Sequence, residues 1–366
     1  MPGNTVKLLD HRESERSIEL MDLVFNEQGM EKLNVLSRDY WEWQNCRHPG
    51  GCSKIWTVED EKKKIIAQYV NIPARLSVNG RRADGGITID LLVDPNHRRQ
   101  GLFKILGKSA IDDLEKAGMD FQLAFPRREK VHNGFINRLN WEKIGDLSLL
   151  VKPMDLMAAL EKKISNGRVV KIIKLAAGPL KALSNKISRG RKKNKFVFRL
   201  MDNLPEKVND LSRIFISEFP ISIIRDKAYL EWRYIQKPEG NYKILGIFNG
   251  DDLLGIIVLK IKRVFSLDVG FIVDILSVLD NEVIDSLIKE ALRLFSKERA
   301  GFCASVMTKN NIYYRSLRKN GFFRVPRKIN PMRYILDAHA GSKKIDKKFF
   351  YEIDNWFITI GDWDIL

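Results

Sequence analysis

A weak internal duplication constrains this chain more than any single motif does. Arg38-Asp39-Tyr40-Trp41-Glu42-Trp43 is followed by Pro49, and Arg225-Asp226-Lys227-Ala228-Tyr229-Leu230-Glu231-Trp232 by Pro238, with a step of six from the last Trp to the Pro in both. Ile89-Asp90-Leu91-Leu92-Val93 answers Val273-Asp274-Ile275-Leu276-Ser277-Val278, and Asn133 to Asn140-Trp141 answers Asn311 to Gly321-Phe322. Matches in the same order divide the chain into two halves of about 150 residues each, the ordinary size of a domain that buries its own core. Tyr40, Trp43, Tyr229 and Trp232 recur at helical spacing and are assigned to the core rather than to a ligand.

Both halves have the same coarse order of elements. In the first, strands are expected at Thr5–Leu9, Lys54–Val58, Ile65–Ser77, Ile87–Val93 and Phe121–Phe125, with further strands within Trp141–Val151. Helices are expected at Glu13–Phe25, Met30–Gln44, Gly101–Lys116 and Asn133–Leu139. The order is that of an α/β fold with a mixed sheet. The sequence divides into residues 1–151, a connector at 152–195, and residues 196–366.

The connector holds most of the charge. Of a net charge of +17, Lys152 to Phe198 supplies +11, from thirteen Lys and Arg against Asp155 and Glu161. Val169, Ile172, Ile173, Ala176, Leu180 and Leu183 recur at helical spacing and Gly178-Pro179 interrupts them, so two short amphipathic helices and a basic turn at Ser188–Lys195 are expected. A solvated linker, a contact for an anionic substrate or membrane surface, and a nucleic-acid contact are all compatible with it. No aromatic residue interrupts the run before Phe196, so base stacking has no platform there and nucleic acid is not the expected partner.

Apolar runs such as Leu253 to Leu259 fall far short of the roughly 20 residues that cross a bilayer. The N-terminal residues have no apolar stretch with cleavage chemistry behind it, and Cys46, Cys52 and Cys303 make a poor disulfide framework, so a cytoplasmic address is expected. Cys46-x-His48-x-x-x-Cys52 matches no common zinc spacing and has no evident fourth ligand; no metal is expected.

The junction Val93-Asp94-Pro95-Asn96-His97-Arg98-Arg99-Gln100-Gly101-Leu102-Phe103 carries the chemistry. Pro95 ends strand pairing, Gly101 permits close backbone approach, and the helix that starts there presents unpaired N–H groups beside Arg98 and Arg99. Such a terminus suits a pyrophosphate. On local physics alone, a plain strand-to-helix turn with solvated arginines is an equal alternative.

Val93-x-Pro95-x-x-Arg98-x-x-Gly101 resembles the coenzyme A loop of the GNAT N-acetyltransferases, in which Arg or Gln is followed by two residues, Gly, one residue, and Gly or Ala. Phe103 stands where that last small residue would be. The resemblance implies two tandem acyl-CoA N-acyltransferase (GNAT-like) domains, with acetyl-CoA held in the first by Leu92, Val93, Arg98, Arg99, Gln100, Gly101, Leu102, Phe103 and Asn133. At the corresponding turn of the second half, Val278 to Asp285 has no glycine or arginine and three acids, which repel pyrophosphate. That half is expected to be a degenerate copy that completes the acceptor cleft or stabilises the first. Trp356 to Asp364 is expected as a last strand and turn supporting it.

The activity so implied is acetyl transfer to a primary amine on a small molecule, with an amino sugar or cell-envelope precursor as the expected acceptor. Asp90 is the candidate base for the amine proton; the alternative is a structural role, since Asp274 keeps its place in the other half. The family's usual tyrosine acid falls at Ile136. His132 and Asn133 lie nearby, and no general acid is named. Two other classes remain: a Fem-type transferase using aminoacyl-tRNA, against which the Arg98–Gly101 loop argues, and a non-catalytic acetyl-CoA-binding protein.

Overall fold

The computed structural model describes residues 5–27, 37–154, 167, 168, 170–172, 175, 195–330 and 332–363. Most of the connector, with nearly all of its two expected helices and its basic turn, lies outside the described residues, as does the beginning of the helix expected from Met30.

The first half runs β1 (Val6–Leu8), α1 (Ser14–Glu27), α2 (Arg38–Asn45), β2 (Lys54–Glu59), β3 (Ile65–Val78), β4 (Arg81–Val93), α3 (Leu102–Lys116), β5 (Phe121–Ala124), α4 (Glu129–Leu139) and β6 (Glu142–Asp146). β1 to β4 pair antiparallel, and β4 then pairs parallel with β5, which requires the crossover that α3 makes. Leu102, Leu106, Ala110 and Leu114 form the buried stripe of α3 and pack with Trp56, Tyr69 and Ala124 on one face of the sheet. α2 starts where the Ser37 hydroxyl accepts the Tyr40 N–H at 3.1 Å.

The next strand, β7 (Ser148–Pro153), leaves this sheet. Leu147 alone separates it from β6, too short a link for a hairpin to turn back. The chain runs on into a second sheet, where β7 pairs with β13 (Phe302–Met307) and β14 (Phe323–Arg324). That sheet also contains β8 (Val197–Met201), β10 (Lys243–Asn249), β11 (Asp252–Val264) and β12 (Leu267–Ser277). In return, β15 (Ile335–Ala340) crosses to the first sheet and lies between β5 and β6. The strand orders are β1-β2-β3-β4-β5-β15-β6 and β8-β10-β11-β12-β13-β7-β14, the same arrangement with one strand exchanged. A sequence boundary at 151 therefore falls within a strand of the second sheet. The helices of the second half are α5 (Lys207–Glu218), α6 (Lys227–Leu230), α7 (Asn281–Lys297), α8 (Ile312–Lys319) and the short α9 (Lys347–Phe350).

The duplicated tryptophans form the seam between the halves. Trp43 Nε1 donates to the Trp232 carbonyl at 2.7 Å, Trp232 Nε1 donates to the Trp43 carbonyl at 3.0 Å, and the rings stack 5.0 Å apart. Tyr40 and Tyr229 are buried beside them. Each indole is desolvated only because the other half supplies its acceptor.

A second buried link involves Arg225. Its guanidinium donates to Asp274 at 3.0 Å and to Asp362 at 2.7 Å, while Tyr234 and Thr359 donate to Asp274 at 2.9 and 3.0 Å. Asp362 arrives with the C-terminal segment, whose strand β16 (Trp356–Phe357) pairs with β9 (Ile221–Ile223). β9 pairs in turn with β3 of the first sheet, so the terminal segment ties both halves together and does not support the second alone. Arg225→Met leaves two buried carboxylates without a counter-ion and is expected to lower stability by about 3–5 kcal/mol. The midpoint of urea unfolding measures it.

Candidate active site

Pairing between β4 and β5 runs from Gly85 opposite Phe121 to Thr88 opposite Ala124 and stops. Among the described strands, residues 89–93 of β4 have no partner on that edge. A bulge marks the same place: the register with β3 shifts between Gln68 and Val70, and Asp90 takes a φ of +42°. The parted strands form a cleft whose floor ends at the β4–α3 loop. There the Asp94 carboxylate accepts the Asn96 N–H at 2.9 Å and caps the single turn Pro95–His97.

Arg99 at φ +66° and Gly101 at φ +81° bring the chain round to α3. The helix begins with no side-chain cap. Among the described residues, the amides of Leu102 and Phe103 have no hydrogen-bond partner. Left-handed residues ahead of an open helix terminus make a concave set of N–H donors suited to an anion. Arg98, Arg99, Gln100 and Gly101 are exposed around it, and Leu102 is buried beneath. Arg98 is not solvated alone: Glu27 at the end of α1 accepts from it at 2.7 and 2.5 Å. Both side chains are substantially exposed, so a ligand phosphate competes with a weak pair.

Phe103 is accommodated by a glycine on the neighbouring helix. A Cβ on Gly134 would lie 2.7 Å from the Phe103 ring, and Phe135 meets that ring edge-on at 5.7 Å. α4 starts at Glu129 and not at Asn133, because β5 ends at Ala124 and leaves room for a first turn with Glu129 at its positive end. Asn133 is thus an exposed second-turn residue, away from the helix terminus where the sequence put it. Ile136 packs in the apolar cluster beneath α3 and α4.

Gln44 Nε2 donates to Asp90 Oδ2 at 2.8 Å. Loss of water around Asp90 pushes its carboxyl above the ordinary carboxylate range, while the Gln44 hydrogen bond and the charge of Arg127 act in the other direction. Asp274 has quite different company, being locked to Arg225. His132 Nδ1 lies 2.7 Å from Asp337 Oδ2 on the exchanged strand β15. Burial raises the Asp337 carboxyl to about 6, against the pull of His132.

Residues 5–144 match the acetyltransferase (GNAT) domain family. They form a GNAT acetyltransferase domain. No curated protein matches the chain. Among solved structures it is similar to a conserved protein of Enterococcus faecalis V583 described as a probable N-acyltransferase, at 10% identity and TM-score 0.63, over 92% of this chain and 72% of that one. A GCN5-related N-acetyltransferase of Anabaena variabilis ATCC 29413 gives 10% identity and TM-score 0.64, over 92% and 73%. N-myristoyltransferase of Saccharomyces cerevisiae, solved with myristoyl-CoA, gives 13% identity and TM-score 0.58, over 93% and 80%. At such identities the likeness is one of fold. The family match covers the first sheet's part of the chain and stops before β7.

Outside the GNAT domain, the corresponding cleft of the second sheet is closed. β12 and β13 part after Phe271 and Ala304, and the Tyr313 hydroxyl accepts the Ser277 N–H there at 3.1 Å. The Asp280 carboxylate caps α7, accepting from Glu282 and Val283 N–H at 2.7 and 3.0 Å, so an anion already occupies that terminus. Among the described residues, no three His, Cys, Asp or Glu cluster as a metal site, and no helix is long and apolar enough to cross a membrane. His48 accepts the Gly50 N–H and packs edge-on against Trp232 at 4.3 Å.

Glu27, Gln44, Arg127 and Asp337 were not found from the sequence. Gln44 had one usable signal, its place directly after the duplicated Trp43. Glu27 and Asp337 had none, since each meets its partner across a long stretch of chain.

Proposed function

We propose that the GNAT domain uses acetyl-CoA to acetylate a primary amine, the class that includes the amino sugar expected above, and that the second half is a GNAT-derived copy without a donor site. The contrast between the two helix termini carries this reading. Uncapped α3 follows an open cleft, whereas α7 is closed by its own Asp280 below a cleft that Tyr313 fills. Leu92 and Val93 line the open edge of β4. Arg98, Arg99, Gln100, Gly101, Leu102 and Phe103 surround the terminus that would take the pyrophosphate. The exposed Asn133 is kept as a neighbour of that site.

Asp90 is proposed as the base that takes the amine proton. Its counterpart Asp274 holds a buried arginine, but among the described residues Asp90 has only the neutral Gln44 as its hydrogen-bond partner, which leaves the carboxylate free to accept a proton. No side chain is assigned as general acid.

Calorimetry with acetyl-CoA tests the donor site. One site per chain is expected. Gly101→Glu should abolish binding, because it forces a side chain into a left-handed conformation and places a carboxylate where Asp280 stands in the other half. Arg98→Ala should weaken binding roughly tenfold, the worth of a charge-assisted hydrogen bond. Full affinity in Gly101→Glu overturns the site. Binding without thiol release across a broad panel of amines overturns the enzymatic reading.

A further inference from the structure

A cavity of about 410 Å³ lies against the second sheet, and none of the residues assigned to the donor site lines it. That volume is within the roughly 300–1,000 Å³ typical of small-molecule sites. Strand register explains its floor. Val269 lies beside Phe302, Phe271 beside Ala304, and Ala304 opposite Val151, so their side chains share one face of the second sheet. Helix α7 covers the other face, where Phe295 lies against Gly270. The cavity face is therefore apolar and roofed by Tyr334 and Ile360.

Its mouth is cationic. Arg127, Lys262 and Arg263 line it, and among the described lining residues there is no Asp or Glu. Neither Arg127 nor Lys262 has an ion pair or hydrogen bond within the described residues. Lys260, two residues before Lys262 on the same strand face, adds a further positive charge, and burial together with Lys262 and Arg233 holds its amine down to about 8. Cations gathered on a low-dielectric wall repel one another until an anion arrives. The charge of Arg127 also favours the ionised form of Asp90, the candidate base.

We propose that this cavity binds the acceptor, and that the acceptor is an amphipathic amine: an apolar body in the cavity and an anionic group, carboxylate or phosphate monoester, at Arg127 and Lys262. The inference rests on the acyltransferase reading for the word acceptor, but not for the binding itself. A thioester's acyl chain carries no charge that would require those cations, and a free sugar, polar on every side, leaves the apolar floor unmatched.

The test titrates the full chain, without donor, with hexyl, octyl and decyl phosphate, the matching alcohols, decanoate and inorganic phosphate. Each added methylene should tighten alkyl phosphate binding about fourfold. Decyl phosphate should bind at least tenfold more tightly than decanol, and inorganic phosphate only weakly. Decyl phosphate against decanoate distinguishes the two anionic groups. Lys262→Ala with Arg127→Ala should reduce decyl phosphate to the level of decanol. Ala304→Leu should flatten the chain-length series while leaving inorganic phosphate unchanged. Because Ala304 is buried, the rim variant Lys262→Glu provides a second test, with at least tenfold weaker decyl phosphate binding expected.

Affinity independent of chain length, or equal for phosphate and alcohol, overturns the proposal. Mutual exclusion between decyl phosphate and acetyl-CoA overturns it as well, because the cavity would then hold the donor's acyl group. Failure of acetyl-CoA to bind at all sinks the donor reading and leaves the alkyl phosphate series standing, so the two failures are distinguishable.

Discussion

Residues 1–154 expressed alone should not fold, and neither should residues 195–366. The first fragment lacks β15, the strand that joins β5 to β6 and brings Asp337 to His132. It also exposes β7, whose Leu149, Leu150 and Val151 are buried in the second sheet. An unpaired apolar strand is an aggregation template. The second fragment loses that strand from between β13 and β14, and Trp232 loses the carbonyl that its indole meets in the other half. The expected result is insoluble or non-cooperative material from each fragment, with a cooperative thermal transition recovered when the two are co-expressed. A soluble 1–154 fragment with a sharp transition of its own would show that the exchange is incidental to stability. The dependence has a bearing on function: the cleft beside Asp90 and the apolar cavity share walls from both halves, and the strand exchange fixes those walls relative to each other.

The loop from Val93 to Phe103 was legible because its signals are local. An apolar run, a proline, an arginine pair and a glycine at the start of an amphipathic stretch lie within a few residues of one another, and each restricts the backbone in a known way. The recurrence of Trp43 and Trp232 with their flanking residues was legible for a similar reason, because it is written in short stretches of chain. What the repeat could not reveal is that the two indoles bond to each other's backbone. The exchange of β7 and β15 was illegible on firmer grounds. Alternating apolar residues identify a strand and its buried face, yet nothing in Ser148–Pro153 distinguishes one sheet from the other when both offer an antiparallel neighbour. The single-residue link at Leu147 becomes visible only once β6 and β7 are placed. Phe103 is an intermediate case: its size conflicts with the family's small residue, and the relief comes from Gly134, a residue that looks unremarkable until the two helices are packed.

Asp90→Asn should lower kcat by about 10²- to 10⁴-fold, the range for a positioned base, with acetyl-CoA affinity unchanged. The pH dependence is more discriminating. Burial raises the native Asp90 carboxyl, and a base acts only when deprotonated, so kcat/KM should climb with pH through that raised value and level off above it. Gln44 donates to the charged form. Gln44→Ala removes that support, so the acidic limb should move to higher pH while the plateau is kept. In Asp90→Asn the limb should vanish. If Asp90 only braces α2 against β4, both variants would lower stability and leave the limb where it is. Asp274→Asn supplies the converse: it disturbs the buried Arg225 cluster, so it should cost stability and leave the shape of the pH profile intact. Two aspartates in matching places would then be separated by their partners, one held by a buried cation and the other left able to take a proton.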